Sequence, residues 1–304
     1  METIDLRAIK MRHLAAFSET LRTGSLKTAA ERLNLTQSAI SKSIKDLESV
    51  LGVVLLERNR GGIALTPEGA LFRQFADQGL NAVRNGLASL QALASGQDAP
   101  LRIGALPSVA ADFLPRAIVH FMERAPATPL SVQDGPVEAL VARLRSGEVD
   151  LVIGRAGAPE IMAGVSFTQL YAEQVIFAAA ADHPLAHVDD VQALGAVPIL
   201  YPPPEAAIRP LVDAFLSETN TQAWTRTLET VSSAFGRAIT LGPARAVWII
   251  SHGVVARDIA AGRMVQLPID TRDMAGPIGV MARSEEDLTP PIRLFRQSLL
   301  AVAR

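Results

Sequence analysis

The chain has 304 residues, of which 49% are hydrophobic and 20% charged, with a net charge of −2. These totals fit about two globular domains with a sizeable core, and they exclude several classes. No apolar run approaches the roughly 18 residues of a membrane span, and with no cysteine there are no disulfides, thiol nucleophiles or cysteine-held metals.

The opening run METIDLRAIKMRHL lacks the apolar core and small-residue cleavage site of an export signal, so cytoplasmic placement is expected. Charge is divided unevenly. Residues 1–96 carry 12 Lys and Arg against 9 Asp and Glu, and the remainder 17 against 22. A mildly basic first third beside an acidic body suits a DNA-binding module on a partner that does not touch DNA.

In residues 11–23, Leu14, Phe17 and Leu21 fall at helical spacing, and Gly24 stops the helix. Ser25 caps a second helix, Leu26 to Leu33. Asn34 tolerates the left-handed backbone of a tight turn, and Thr36 caps a third helix from Gln37 to about Leu51, closed by Gly52. Ile40, Ile44, Leu47 and Leu51 form one stripe on that helix. Ser38, Ser41, Lys42 and Lys45 lie off the stripe. Small Ala29 and Ala30 permit close approach of the second helix to the third. This is the helix-turn-helix pattern, in which residues near the start of the third helix reach base edges. The outer face carries hydroxyls, an amide and lysines with no acid before Asp46, which suits bases and phosphates. Residues 53–69 then read as a hairpin: Val53–Leu56, a turn at Gly61-Gly62, and Ile63–Leu65. Arg58 and Arg60 at its tip suit a minor groove or phosphates.

The runs AAERLNLTQSAISKSIKDLESVLGVVLLER and LTPEG make the segment from Leu14 to Gly69 resemble the DNA-binding domain of the LysR-type transcriptional regulators. Two positions depart from that pattern. Ser38 stands where the family usually has proline, and Lys42 where arginine is common. The resemblance implies DNA contacts from Gln37, Ser38, Ser41, Lys42 and Arg58, with Thr36 and Thr66 near phosphates.

Pro67 opens a long helix after Thr66. Within it Ala76, Leu80, Val83, Leu87, Leu90 and Ala94 recur at spacings of 4, 3, 4, 3 and 4, a heptad seam that needs a partner. A second copy of the helix is the expected partner, since a dimer reads two half-sites. Residues 95–100, SGQDAP, mark a domain boundary. The expected organisation is a winged helix-turn-helix over 1–66, a linker (dimerisation) helix over 67–96, and an effector-binding domain over 97–304.

Beyond residue 100, strands alternate with helices. Strands are expected at Leu101–Leu106, Leu130–Gln133, Asp150–Gly154, Val175–Ala179, Pro198–Leu200, Thr227–Val231, Ala246–Ile250, Met264–Leu267 and Pro277–Ala282. This alternation implies a parallel α/β sheet. Ligands of open α/β sheets lie at the carboxyl ends of strands. That rule selects Ser108 and Val109, Asp134, Arg155, Tyr201, and Ser232 with Ser233, whose helix start offers an anion site. Phe235 packs nearby.

The resemblance extends over the whole chain and implies an effector domain of the periplasmic-binding-protein type. Its two lobes cover about 97–165 plus 268–304, and 166–267, with crossovers near Val165 and Leu267 and the ligand between them. It also implies a homodimer or homotetramer, double-stranded promoter DNA, and RNA polymerase as partners. The runs RIGALPSV, DLVIGR, MAGVSFTQLY, ETVSSAFGRA and AVWIISHGVVA resemble a subgroup that regulates protocatechuate and β-ketoadipate pathway genes, and also sugar-transport and aromatic sulfonate genes. The first alternative implies an organic-acid effector, with Arg155 and then Arg237 as its cationic partners, helped by Ser108 and Ser232.

An enzyme is not expected, because the GxSxG elbow, the P-loop and GxGxxG are all missing. His183 and His187 have the spacing of a helical metal pair, but Pro184 breaks the helix, and neither metal nor cofactor is expected. A solute-binding transport protein would explain the last two thirds alone, and gel retardation of promoter DNA separates it from a regulator.

Overall fold

The computed structural model describes residues 5–59, 62–96, 98–221, 224–284 and 289–303; Arg60 lies outside them. The chain divides into two compact units, Met1–Ser95 with Arg145–Glu148, and Gly96–Leu144 with Val149–Arg304.

The first unit is built on three short helices, α1 (Met11–Thr23), α2 (Leu26–Arg32) and α3 (Gln37–Leu51). Ser25 accepts from the Thr28 amide and Thr36 from the Ala39 amide, so both expected caps form. Gly24 and Gly52 end their helices at φ +67° and +70°, and Asn34 turns the chain at φ +54°. Ala16, Ala30, Ile40 and Ile44 form one apolar cluster, and Phe17, Leu47, Leu55 and Ala76 another. Burying Phe17 completely contributes about 1.5–3 kcal/mol relative to leaving it in water.

The wing hairpin pairs β1 (Leu56–Asn59) with β2 (Gly62–Leu65). It starts later than the expected Val53–Leu56. The reason is that Glu48 Oε1 accepts from the Leu55 and Leu56 amides at 2.8 and 3.2 Å, so a side chain takes the donors a strand partner would use. Arg58 consequently lies within β1, opposite Ile63, and not at a tip. Helix α4 (Pro67–Ala94) follows, capped by Thr66. The expected seam is only partly free on α4. Ala76 and Leu80 are buried, Ala76 beneath Phe17, while Leu71, Phe75, Val83, Leu87 and Leu90 form an exposed stripe.

The second unit is an α/β body of two lobes. The first holds β3 (Leu101–Ala105), a π-helical turn (Val109–Phe113) leading into α5 (Leu114–Met122), β4 (Leu130–Asp134), α6 (Val137–Ser146) and β5 (Leu151–Arg155). A long strand β6 (Val165–Ala180) leads to the second lobe, which contains β7 (Ile199–Tyr201), α7 (Arg209–Glu218), β8 (Thr227–Glu229), α8 (Ser233–Leu241), β9 (Val247–Ser251), α9 (His252–Ala260) and β10 (Met264–Gln266). The chain returns through β11 (Ala275–Arg283) and ends in α10 (Pro290–Val302).

Among the described residues the sheet runs β4-β3-β5-β11-β6-β9-β7-β8, with β10 beside β6. The expectation of a parallel sheet holds only at its two ends, where β4, β3 and β5 pair in parallel, as do β9, β7 and β8. Between them β11 and β6 are antiparallel to their neighbours, because one carries the chain out of the first lobe and the other brings it back. The first part of β6 pairs with β11 as far as Gln174, and the part from Val175 pairs with β9. The crossover is therefore later than the expected Val165. The first lobe packs Phe113, Phe121 and Phe295 against its sheet, with Phe121 and Phe295 edge to face at 5.4 Å, and the second packs Phe177, Val212, Phe215 and Ile249.

Candidate DNA-binding face and effector cavity

On α3 the apolar stripe is spent on the core, so the opposite side of the helix is left to solvent. Gln37, Ser38, Lys42 and Lys45 are exposed and Ser41 half-buried. Thr36 is a working cap, with its hydroxyl also 2.9 Å from Ser38 Oγ. Thr66 is held more firmly. Its hydroxyl lies 2.7 Å from the Val54 carbonyl as donor and accepts from the Gly69 amide at 2.9 Å, which ties the wing to α4. Ser25, Lys27, Gln37, Asn59 and Gly62 line one recess of about 290 Å³ between α2, α3 and the wing. Lys27 was not singled out from sequence. Its place in the first turn of α2, beside Gln37, depends on the helix crossing.

In the second unit a cavity of about 610 Å³ opens where the lobes meet. The π turn and α5 supply Asp112, Phe113 and Arg116, β6 supplies Tyr171 and Glu173, and α9 supplies His252 and Gly253. Phe113 and Tyr171 stack at 4.8 Å to make an aromatic wall. Arg116 pairs with Asp112 at 3.1 Å, a largely exposed contact worth little by itself.

The floor of the cavity is charged and buried. Glu173 accepts from Ser108 Oγ at 2.8 Å and from the Gly253 amide at 3.3 Å. Burial pushes the Glu173 carboxyl above the ordinary carboxylate range, and the Ser108 hydroxyl, the Arg155 charge and the Gly253 amide only partly oppose that. Arg155 lies behind it, 7% exposed, donating from Nη2 to the Glu173 carbonyl at 3.1 Å. Burial lowers the Arg155 pKa, opposed by the Glu173 charge. Gly276 leaves room for this side chain: a Cβ there would meet Arg155 Nη1 at 1.7 Å.

The raised Glu173 value has a sign that can be tested. The neutral form is the better tolerated one in the folded protein, so its contribution is fully present below the unfolded value near 4.5 and is lost as pH rises through the folded value. Wild type should therefore lose stability relative to Glu173→Gln across that window, measured as the difference in melting temperature. Arg155, Tyr171, Asp112, Arg116 and His252 are the other titratable groups around the carboxyl. A flat difference would reject the assignment.

The other expected effector residues do not gather here. Val109 is fully buried in the first-lobe core, and Asp134 is exposed at the end of edge strand β4. Tyr201 gives its hydroxyl to Asp213 at 2.6 Å and stacks beneath Arg209 at 4.5 Å. Arg237 is engaged by Asp258 at 2.7 Å and by the Val254 carbonyl. Burial opposes ionisation of Asp258, but hydrogen bonds from Arg237 and Arg263 outweigh it and hold its pKa low. Ser232 caps α8 through the Phe235 amide, Ser233 starts that helix, and Phe235 is 43% exposed. Ser232→Ala should thus cost about 1 kcal/mol of stability and leave ligand response intact, as read by melting with and without an effector. His183 is used locally, its Nδ1 accepting from the Leu185 amide and its Nε2 lying 2.9 Å from the Arg245 carbonyl.

A helix-turn-helix with its polar face outward, joined by one long helix to a two-lobed α/β body, is the build of a DNA-binding transcription regulator. Two family models match the chain: "Bacterial regulatory helix-turn-helix protein, lysR family" over residues 11–70, and "LysR substrate binding domain" over residues 94–304. The chain belongs to the LysR family of transcriptional regulators. It is 39% identical over 297 residues to the HTH-type transcriptional regulator PcaQ of Agrobacterium fabrum, covering 97% of this chain and 95% of that one. It is 32% identical to the regulator YdcI of Escherichia coli, covering 94% of each. Among solved structures, CbnR, a LysR family transcriptional regulator, matches with a TM-score of 0.68 at 21% identity, covering 97% of this chain and 100% of that one. Full-length OxyR from Pseudomonas aeruginosa matches at 0.66 with 24% identity, over 97% and 99%. Among the described residues no helix is long and apolar enough to cross a membrane.

Proposed function

We propose that this regulator senses a small organic acid, in the cavity between its lobes, and adjusts transcription of aromatic-catabolism genes of the protocatechuate and β-ketoadipate type. The observation that carries the reading is Arg155. It is buried, and among the described residues it has no carboxylate within ion-pair distance. Its hydrogen bond to the Glu173 carbonyl leaves the guanidinium with no carboxylate in contact, which is costly for a buried cation, and a ligand carboxylate would supply one. The aromatic wall of Phe113 and Tyr171 suits the body of such an acid, and the 39% identity to PcaQ supports the pathway.

In this reading the chain is a cytoplasmic regulator and not an enzyme. Thr36, Gln37, Ser38, Ser41, Lys42, Lys45, Arg58, Arg60 and Thr66 form its DNA side, with Ser108 and Arg155 on the effector side. Two copies pair along α4, whose stripe of Leu71, Phe75, Val83, Leu87 and Leu90 is exposed in the single chain. Apolar residues are also exposed on both edges of the sheet unit, Val119 and Val132 at one end and Leu228 and Val231 at the other, and dimers join there into a tetramer. Ligand binding changes the lobe angle and the spacing of the DNA modules, and through them contact with RNA polymerase. Leu87→Asp with Leu90→Asp should give monomers in sedimentation at micromolar concentration; a retained dimer would reject the α4 interface.

The function is tested by a thermal-shift screen of the intact protein against protocatechuate, carboxymuconate, β-ketoadipate, sugars and aromatic sulfonates. A shift with ring-cleavage acids supports the reading. A shift only with sugars or sulfonates replaces the effector class.

A further inference from the structure

We propose that the Glu173 carboxyl group occupies the seat of the effector's own carboxylate, so that binding exchanges one carboxyl group for another and unties the lobes. The proposal rests on the reading of the cavity as an effector site. Glu173 stands on β6, the strand shared by both lobes. Ser108, one of its donors, follows β3 in the first lobe, and Gly253, another, lies in the first turn of α9 in the second. One side chain therefore bridges the two lobes, with the Ser251 hydroxyl of the second lobe as a further donor to it.

The donors around Glu173 are those that recognise a carboxylate. They are a hydroxyl, an amide at a helix start, and a guanidinium behind them. Ser108, Glu173 and Gly253 line the cavity, so a ligand arriving there meets the bridge directly. Gly253 fixes the spacing: a Cβ at that position would lie 2.5 Å from Glu173 Oε1 and 2.7 Å from the Ser108 carbonyl.

An incoming organic acid can take over Ser108 Oγ and the Gly253 amide while its apolar body lies on Phe113 and Tyr171. The Ser108 and Gly253 donors are satisfied before and after, and the displaced Glu173 carboxyl must turn into the open cavity that it lines to regain hydrogen bonds from water. The difference lies in the tether. Glu173 is fixed to β6, whereas a free acid is not, and the distance between Ser108 and Gly253 then follows the ligand. That gives the ligand the differential affinity for two lobe arrangements that any switch requires.

The test uses sodium acetate as probe on the full chain, against sodium chloride at equal ionic strength. Glu173→Ala empties the seat, and 50 mM acetate should then raise the melting temperature by about 2 °C, with no acetate-specific shift in wild type. Ser108→Ala in the same background should remove the shift. Glu173→Gln keeps the side-chain volume and serves if Glu173→Ala does not fold. Its uncharged amide holds the seat less firmly, so 50 mM acetate should raise its melting temperature as well, where wild type shows no acetate-specific shift. No acetate-specific shift in either variant, or equal shifts in variant and wild type, overturns the proposal. Wild-type titration with β-ketoadipate tests the effector reading separately. A silent titration beside a positive acetate rescue would remove the organic-acid effector and retain the exchangeable seat.

Discussion

Arg155→Ala should no longer show the rise in melting temperature that an organic-acid effector gives the wild type. A hydrogen bond to a charged group contributes about 1.5–3 kcal/mol, so affinity should fall roughly 10- to 150-fold by isothermal titration. Arg155→Lys should recover part of it, because the ammonium keeps the charge but not the fork of the guanidinium. The position is demanding for a geometric reason. The guanidinium lies against the bare backbone of Gly276 and reaches the Glu173 carbonyl, so its direction is set by two central strands and not by a loop. Unchanged effector affinity in Arg155→Ala, with the fold intact by circular dichroism, would remove Arg155 from the site.

The second large effect concerns α3. Gln37→Ala should weaken operator binding by about 1–3 kcal/mol and relax the preference at one base pair. Lys42→Ala should weaken operator and scrambled DNA alike and reduce the slope of log affinity against log salt by about one. The contrast follows from position. Gln37 is in the first turn of α3 and lines the recess shared with the wing, while Lys42 is further along the exposed face. Fluorescence anisotropy at several salt concentrations separates the two behaviours. A Gln37→Ala loss that is equal on all sequences would make Gln37 a backbone contact.

The first unit was legible in the sequence because local rules decide it. Ser25, Thr36 and Thr66 cap, Gly24 and Gly52 stop, and the spacing of Ile40, Ile44 and Leu47 picks the buried face. None of these depends on distant residues. The wing start failed because Glu48 captures two amides from the preceding helix, a contact no period reveals.

The cavity was harder to read for the same reason. The strand-end rule selects Ser108, which lines the cavity, and Arg155, which lies behind Glu173. Glu173 is not legible in the sequence, since the apolar run marks a strand only from Val175, and the part of β6 before it is set by pairing with the distant β11. The same rule selects Tyr201, and the resemblance adds Arg237. Asp258, 2.7 Å from Arg237, and Asp213, 2.6 Å from Tyr201, hold them within the second lobe, and those pairings are made by tertiary structure.

The interleaving of β5, β6 and β11 also bears on how the protein is made. The first lobe holds β3, β4 and β5 early in the chain, yet the neighbour of β5 on its inner edge is β11, near the end. On the ribosome the helix-turn-helix and α4 emerge complete, and the second lobe follows as one uninterrupted stretch with its own core. The first lobe must wait, with an open strand edge at β5, until residues 275–283 are synthesised. The late closure of that edge makes synthesis of β11 the step at which the sheet of the first lobe is finished.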